Sequence, residues 1–244
     1  MTVSRTGKKP AVGLALFPSL TEEDLDRNTS ILLHPEEIKT GCGFASDIRR
    51  RSFLQGRIAG KIAMNQVFPE IQSAGVRIIS GSLGSPLFQN LAHPYGISIA
   101  HGTLWNAALC FPLSVPMGID VESITEQNRS IIPSVLSDHE KEICNREGEG
   151  LESLHVLWTA REAAGKAIRL GYRVPHEWYE VADIETIHKG PYIIRRCRFK
   201  QLSVFTALSL KIPDGILSIA FPADEDLDQL VTDLMRMKAI SSVR

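Results

Sequence analysis

Long apolar runs are missing from this chain of 244 residues. None approaches the roughly 20 residues that a membrane-spanning helix needs, so membrane insertion by a helix is not expected. Cysteine is scarce: Cys42, Cys110, Cys144 and Cys197 are scattered and form no CxxC pair. That excludes a zinc knuckle and a disulfide framework, and it points to ordinary reduced thiols. A dominant charge sign is also missing. Lys and Arg number 27 against 28 Asp and Glu, a net charge of −1, so no global field draws the chain to nucleic acid or a membrane surface. Any affinity for anions must come from a local basic cluster. No low-complexity linker and no internal repeat is visible in the sequence. The basic start MTVSRTGKKPAVGLALFPSL turns apolar for only a few residues before Pro18 and lacks a signal-peptide core. The expected location is cytoplasmic.

What is present is an ordinary globular balance, 43% hydrophobic and 23% charged. Segment 11–18 reads as a strand and LHPEE opens a short helix. A long helix is expected over 45–68, capped by Ser46 or Asp47. Arg50, Arg57 and Lys61 line up on it within about 40°, forming either a solvated basic face or a phosphate-binding edge. VRIIS is a strand, GSLGSP a loop, and 95–111 a hairpin turning near His101. Segment 131–147 holds a short helix capped by Ser137 or Asp138, and 153–171 a second long helix stopping at Gly171. On that second helix, His155, Glu162, Lys166 and Arg169 are expected opposite an apolar stripe of Leu157, Ala160, Ala164, Ala167 and Ile168. Four strand candidates follow, then an amphipathic segment at 224–238. The pattern predicts an α+β fold of two similar halves, 1–112 and 113–244.

The stretch PMGIDVESI carries the chemistry. Val115, Met117, Ile119 and Val121 fall on one parity, Gly118, Asp120 and Glu122 on the other. This is the period of a half-buried strand, so Asp120 and Glu122 stand side by side and need a positive neighbour. Downstream, Glu162 and Lys166 share a helical face at i, i+4. Taken singly, the strand pair reads equally well as the wet side of an edge strand, and the helix pair as a surface ion pair. Together, Asp120, Glu122 and Glu162 form an oxygen donor set suited to Mg²⁺ carrying a diphosphate. No His/Cys group competes for a softer metal.

MGIDVE followed by WTAREAAGKA resembles the signature of the 4′-phosphopantetheinyl transferase superfamily: Gly-Ile/Val-Asp-x-Glu, then an aromatic residue, a small residue, any residue, Lys-Glu, and Lys four after the Glu. Gly118, Asp120, Glu122, Trp158, Glu162 and Lys166 match it. GRIAGKIAM, GSP, SIAH and LSDHE resemble further family segments in the same order. Arg161 stands where the family usually has Lys, and Ser85 where Gly-Lys-Pro is common. The length fits the larger, two-halved class.

The resemblance implies two α/β halves related by a pseudo-two-fold axis, with the active site at their interface. It also implies Mg²⁺-dependent transfer of 4′-phosphopantetheine from coenzyme A to a serine of an apo acyl or peptidyl carrier protein. In that scheme Asp120, Glu122 and Glu162 hold the metal, Glu162 is the general base, and Lys166 steadies the leaving phosphate. Arg57, Ser98 and His101, with Asp120 and Lys166, bind coenzyme A. The expected partners are coenzyme A and a carrier protein acting on a monomer, without nucleic acid or membrane. Two alternatives remain open from the residues: a non-catalytic module binding coenzyme A or carrier, and a metal-dependent nuclease. The nuclease is disfavoured by Ile124, which stands where such enzymes commonly place a lysine, and by the neutral charge.

Overall fold

A computed structural model of the chain describes residues 11–148, 150–170, 173–190 and 192–225. In chain order the elements are β1 (Gly13–Pro18), α1 (Glu22–Leu32), α2 (Pro35–Cys42), α3 (Asp47–Val67), β2 (Arg77–Ser80), β3 (Pro86–Gln89), β4 (Tyr95–His101), β5 (Trp105–Pro112) and β6 (Gly118–Ser123). Then come α4 (Asn128–Ile131), α5 (Asp138–Arg146), α6 (Leu151–Ala167), β7 (Val181–Lys189), β8 (Tyr192–Phe199), β9 (Phe205–Ile212) and β10 (Gly215–Pro222). The fold is α+β, as the sequence pattern predicts.

Two antiparallel sheets carry the architecture, ordered β1-β5-β4 and β6-β10-β9-β8-β7, beside the small β2-β3 ribbon. Their strand alternation sorts side chains into layers. Trp105, Ala107, Leu109 and Phe111 of β5 join Ile119 and Val121 of β6 and Leu217, Ile219 and Phe221 of β10 in one core between the sheets. The opposite parity of β5, Ala108 and Cys110, packs with Ala59, Ala63 and Met64 of α3. Ile216 and Ala220 of β10 pack with Ala160, Ala163 and Ala164 of α6. The order through the molecule is therefore helix, sheet, sheet, helix. β5, covered on both faces, is buried throughout, which is why its sequence is a continuous apolar run rather than an alternating one.

One device recurs in both parts of the chain. LHPEE and LSDHE each set a capping residue, His34 or Ser137, three places before a glutamate in a capping box. Each glutamate then reaches further. Glu37 accepts from the His34 N–H at 2.9 Å, from the Ile78 N–H at 2.8 Å, and from Lys61 Nζ at 3.0 Å. Glu140 accepts from the Ser137 N–H at 2.9 Å, from the Val181 N–H at 3.0 Å, and from Arg161 Nη1 at 2.5 Å. In both cases a short helix, the start of a strand and a long helix are pinned by one buried carboxylate.

Lys61 corrects the reading of the basic stripe. It is fully buried and also donates to the Ser73 and Val76 carbonyls, so it belongs to neither a solvated face nor a phosphate edge. Arg50 pairs with Asp47 and Glu22, which leaves Arg57 alone of the three facing a cleft. His155 is likewise fully buried, so α6 has no wet face at that position. That helix ends at Ala167, and the left-handed residue beyond it is Arg169 (φ 57°). Gly171, the expected stop, lies outside the described residues, as does most of the 224–238 segment. Helix α1 and strand β3 have no counterpart in the sequence expectations. Among the described residues no helix is long and apolar enough to cross a membrane.

Candidate active site between β4, β6 and α6

The site begins with a glycine. A Cβ on Gly118 would lie 2.0 Å from the Ala163 carbonyl oxygen and 2.5 Å from the Ala167 nitrogen. Only glycine lets β6 come that close to α6. The contact fixes what stands two residues along the strand: the Lys166 ammonium donates to Asp120 Oδ1 at 2.7 Å. Here is the positive neighbour that the acidic strand needs. Asp120 is 5% exposed, and its Oδ2 is buried without a hydrogen-bond partner.

β4 brackets β6 from the other side. The Ile119 N–H donates to Ser98 Oγ at 3.1 Å, and the turn after β4 lies on β6, where a Cβ on Gly102 would meet the Val121 oxygen at 3.0 Å. The Leu104 N–H donates to Ser123 Oγ at 3.1 Å, closing the same seam. His101, at the end of β4, thereby comes within electrostatic reach of both Lys166 and Asp120. Burial and the Lys166 charge lower its pKa, partly offset by Asp120.

Glu122 records how much negative charge meets here. Burial first, then Asp120 and Glu162, push its pKa up to about 7, while Lys166 and a hydrogen bond from the Trp158 indole pull it down. Both of the other predicted acids therefore act on Glu122. Glu162 also raises the pKa of Tyr179, second to the effect of that phenol's own burial.

A cavity of about 280 Å³ opens over this cluster, lined by Ser98, Trp158, Glu162, Lys166 and Arg169 among others. An adjoining cavity of about 540 Å³ is lined by Arg57, His101, Phe53 and Ser80. The two share Gly84, Pro86 and Ile99. Arg57 stacks 4.4 Å over the Phe53 ring, and its Nε donates to the Ile78 carbonyl at 3.2 Å. Ser98 is buried and its oxygen already accepts one bond, leaving its own hydroxyl proton to donate. Ser85 lines the first cavity.

Among the described residues, no three His, Cys, Asp or Glu side chains are gathered tightly enough to form a ready-made metal cage. Lys166 sits on one oxygen of Asp120, and the Trp158 indole bonds Glu122. The donor set nevertheless fits a hard dication. A buried bare oxygen and a carboxyl raised to about 7 are both consequences of excess negative charge in a dry place, and oxygen-only ligands suit Mg²⁺.

Sequence reasoning left two cavity-lining arginines without a role. Arg161, which stands where the family usually has Lys, lines the first cavity but is engaged by Glu140 and donates to the His176 carbonyl at 3.0 Å. Arg169, expected on the same helical face as Glu162 and Lys166 but given no role, lines the cavity with them. The i, i+3 spacing from Lys166 was the available signal.

No curated protein matches the chain. Among solved structures, the holo-[acyl-carrier-protein] synthase of Thermotoga maritima is similar at 14% identity and TM-score 0.32, covering 49% of this chain and 71% of that one. Residues 116–220, from the start of the GIDVE strand through the middle of β10, match the 4′-phosphopantetheinyl transferase superfamily. Both signature segments that build the cluster fall inside that range, so this part of the chain is similar to the 4′-phosphopantetheinyl transferase superfamily.

Proposed function

We propose that the chain transfers 4′-phosphopantetheine from coenzyme A to a serine of an apo acyl or peptidyl carrier protein, releasing 3′,5′-ADP. The observation that carries this reading is the Asp120–Lys166 pair at 2.7 Å with Asp120 Oδ2 left bare, Glu122 and Glu162 in electrostatic contact, and the group opening on a cavity. Asp120, Glu122 and Glu162 would hold Mg²⁺, which when bound supplies Lewis-acid neutralisation of diphosphate oxygens.

The chain's own residues do the rest. Arg57 and His101 line the second cavity and suit the nucleotide phosphates; Arg57 is held in place by Phe53 and the Ile78 carbonyl. Ser98 offers its hydroxyl proton to the first cavity. Lys166, a compact cation reaching across the gap between α6 and β6, neutralises charge on the phosphate that departs with 3′,5′-ADP. Glu162, one turn before it, accepts the proton of the serine hydroxyl as that oxygen forms its bond to the β-phosphorus. Trp158 keeps Glu122 oriented through its indole N–H.

The recurring capping-box device and the shared strand order, first strand beside last strand beside the one before it, support two related halves, 1–112 and 113–244. That organisation supports the larger class of the superfamily acting as a monomer. It has no described feature for nucleic acid or membrane, and a cytoplasmic setting suits its cysteines.

The test is intact mass of several apo-carriers incubated with Mg²⁺, coenzyme A and the protein. A gain of one phosphopantetheine on a single serine is the expected result. Coenzyme A binding without any mass gain on any carrier favours the non-catalytic binding module instead.

A further inference from the structure

Five lysine and arginine side chains line the two cavities, and three of them are already engaged. Lys166 is held by Asp120, Arg161 by Glu140 and the His176 carbonyl, and Arg57 by the Ile78 carbonyl. The Arg169 side chain lines the first cavity and makes no hydrogen bond or ion pair among the described residues. Its backbone is left-handed (φ 57°), which turns the chain sharply after α6 and brings the guanidinium back over β4. There it lies so close that a Cβ on Gly96 would meet Arg169 Nη2 at 2.6 Å. A half-buried guanidinium without a partner is expensive to desolvate unless a ligand supplies the anion.

We propose that Arg169 binds the phosphate at the pantetheine end of the donor. This rests on the coenzyme A reading above. The two cavities divide the cations spatially: Arg57 and His101 line one, Lys166 and Arg169 the other, and Glu162, the residue next to the chemistry, lines the second of these. Arg169 is therefore on the side of the diphosphate where Glu162 acts, away from Arg57 and His101. The same cavity is lined by Leu83, Gly84, Ser85 and Pro86 of the GSP loop, which bring no charge to it. A cation from the end of α6 supplies the charge that the GSP loop lacks.

Calorimetry separates the possibilities with two ligands, coenzyme A and 3′,5′-ADP, in the presence of Mg²⁺. Arg169→Gly removes the guanidinium and suits the left-handed backbone, and Arg169→Lys retains a charge. The expected result for Arg169→Gly is about tenfold weaker coenzyme A binding, 3′,5′-ADP affinity within twofold of the parent, and partial recovery in Arg169→Lys. Unchanged coenzyme A affinity in Arg169→Gly, at unchanged melting temperature, overturns the proposal, and so does equal weakening of both ligands. A parent protein that binds neither ligand overturns the coenzyme A reading, and the Arg169 assignment with it.

Discussion

Lys166 Nζ lies 2.7 Å from Asp120 Oδ1, so a helix and a strand meet at a single ion pair that is buried on the acid's side and partly open on the lysine's. The pair answers the repulsion built into the strand, but only on one oxygen. Asp120 Oδ2 keeps its negative character with nothing to satisfy it, and that remainder is what makes the pair a site rather than a structural clamp.

Removing the lysine should expose the imbalance. Lys166→Ala leaves Asp120 buried beside Glu122 without compensation, a loss of about 2 kcal/mol after allowance for the partial exposure of the lysine. Coenzyme A should bind more weakly, and with less dependence on salt. Adding Asp120→Asn to that variant should recover much of the stability and none of the binding. Thermal unfolding and a calorimetric salt series check both.

Glu162→Gln should cut transfer by about 100-fold or more, since an amide cannot accept the serine proton, with little change in melting temperature. Mass of the carrier after timed incubation measures it. Turnover near that of the parent removes Glu162 from the role of base.

Stability should depend on pH through Glu122. Its folded-state pKa of about 7 lies above its ordinary value of 4.5. With chelator present, the contribution is complete below pH 4.5 and is lost as pH rises through about 7, because the folded state must then ionise a crowded carboxyl. The melting temperature should fall across that window. Glu122→Gln should flatten the fall, and a profile that stays the same in that variant assigns the effect elsewhere.

Two basic residues of α3 should part company. Lys61→Met strands the buried Glu37 carboxylate and should cost about 3–5 kcal/mol, seen in denaturant unfolding. Arg57→Ala should cost less stability than Lys61→Met, since Lys61 remains to pair Glu37 and Arg57 lies 3.9 Å from it, and should raise KM for coenzyme A, because its guanidinium lines the second cavity.

Gly118→Ala should cost about 3 kcal/mol and abolish transfer together, since the added methyl would meet the Ala163 oxygen at 2.0 Å and push β6 off α6. A variant of parental stability and activity contradicts the close approach.

How much of this was legible in residues differs from element to element. The period-two alternation of MGIDVE announced β6 and sorted its two faces, although the strand is buried on both, one in the core and the other against α6. The Ser46 and Ser137 caps located two helix starts within a residue, since a helix N-terminus needs a side-chain acceptor next to it. Helix α1 went unread because its acidic, polar composition buries only Leu25, too little to print a periodic stripe. The basic stripe of α3 misled for a different reason. Wheel geometry gives direction but not neighbours, and the neighbour of Lys61 is Glu37, contributed by another helix.

The sequence by itself determined the strand with its two acids, the helix with its glutamate and lysine, and the superfamily they resemble, because these rest on local periodicity and short spacings. Only the tertiary structure decided which cations are committed and which face the cavities. Arg161 went to Glu140, Lys61 to Glu37 and Lys166 to Asp120, while Arg169 turned into the cleft. The physical reason is that a charge's role depends on what desolvates and compensates it, and those groups arrive from distant parts of the chain.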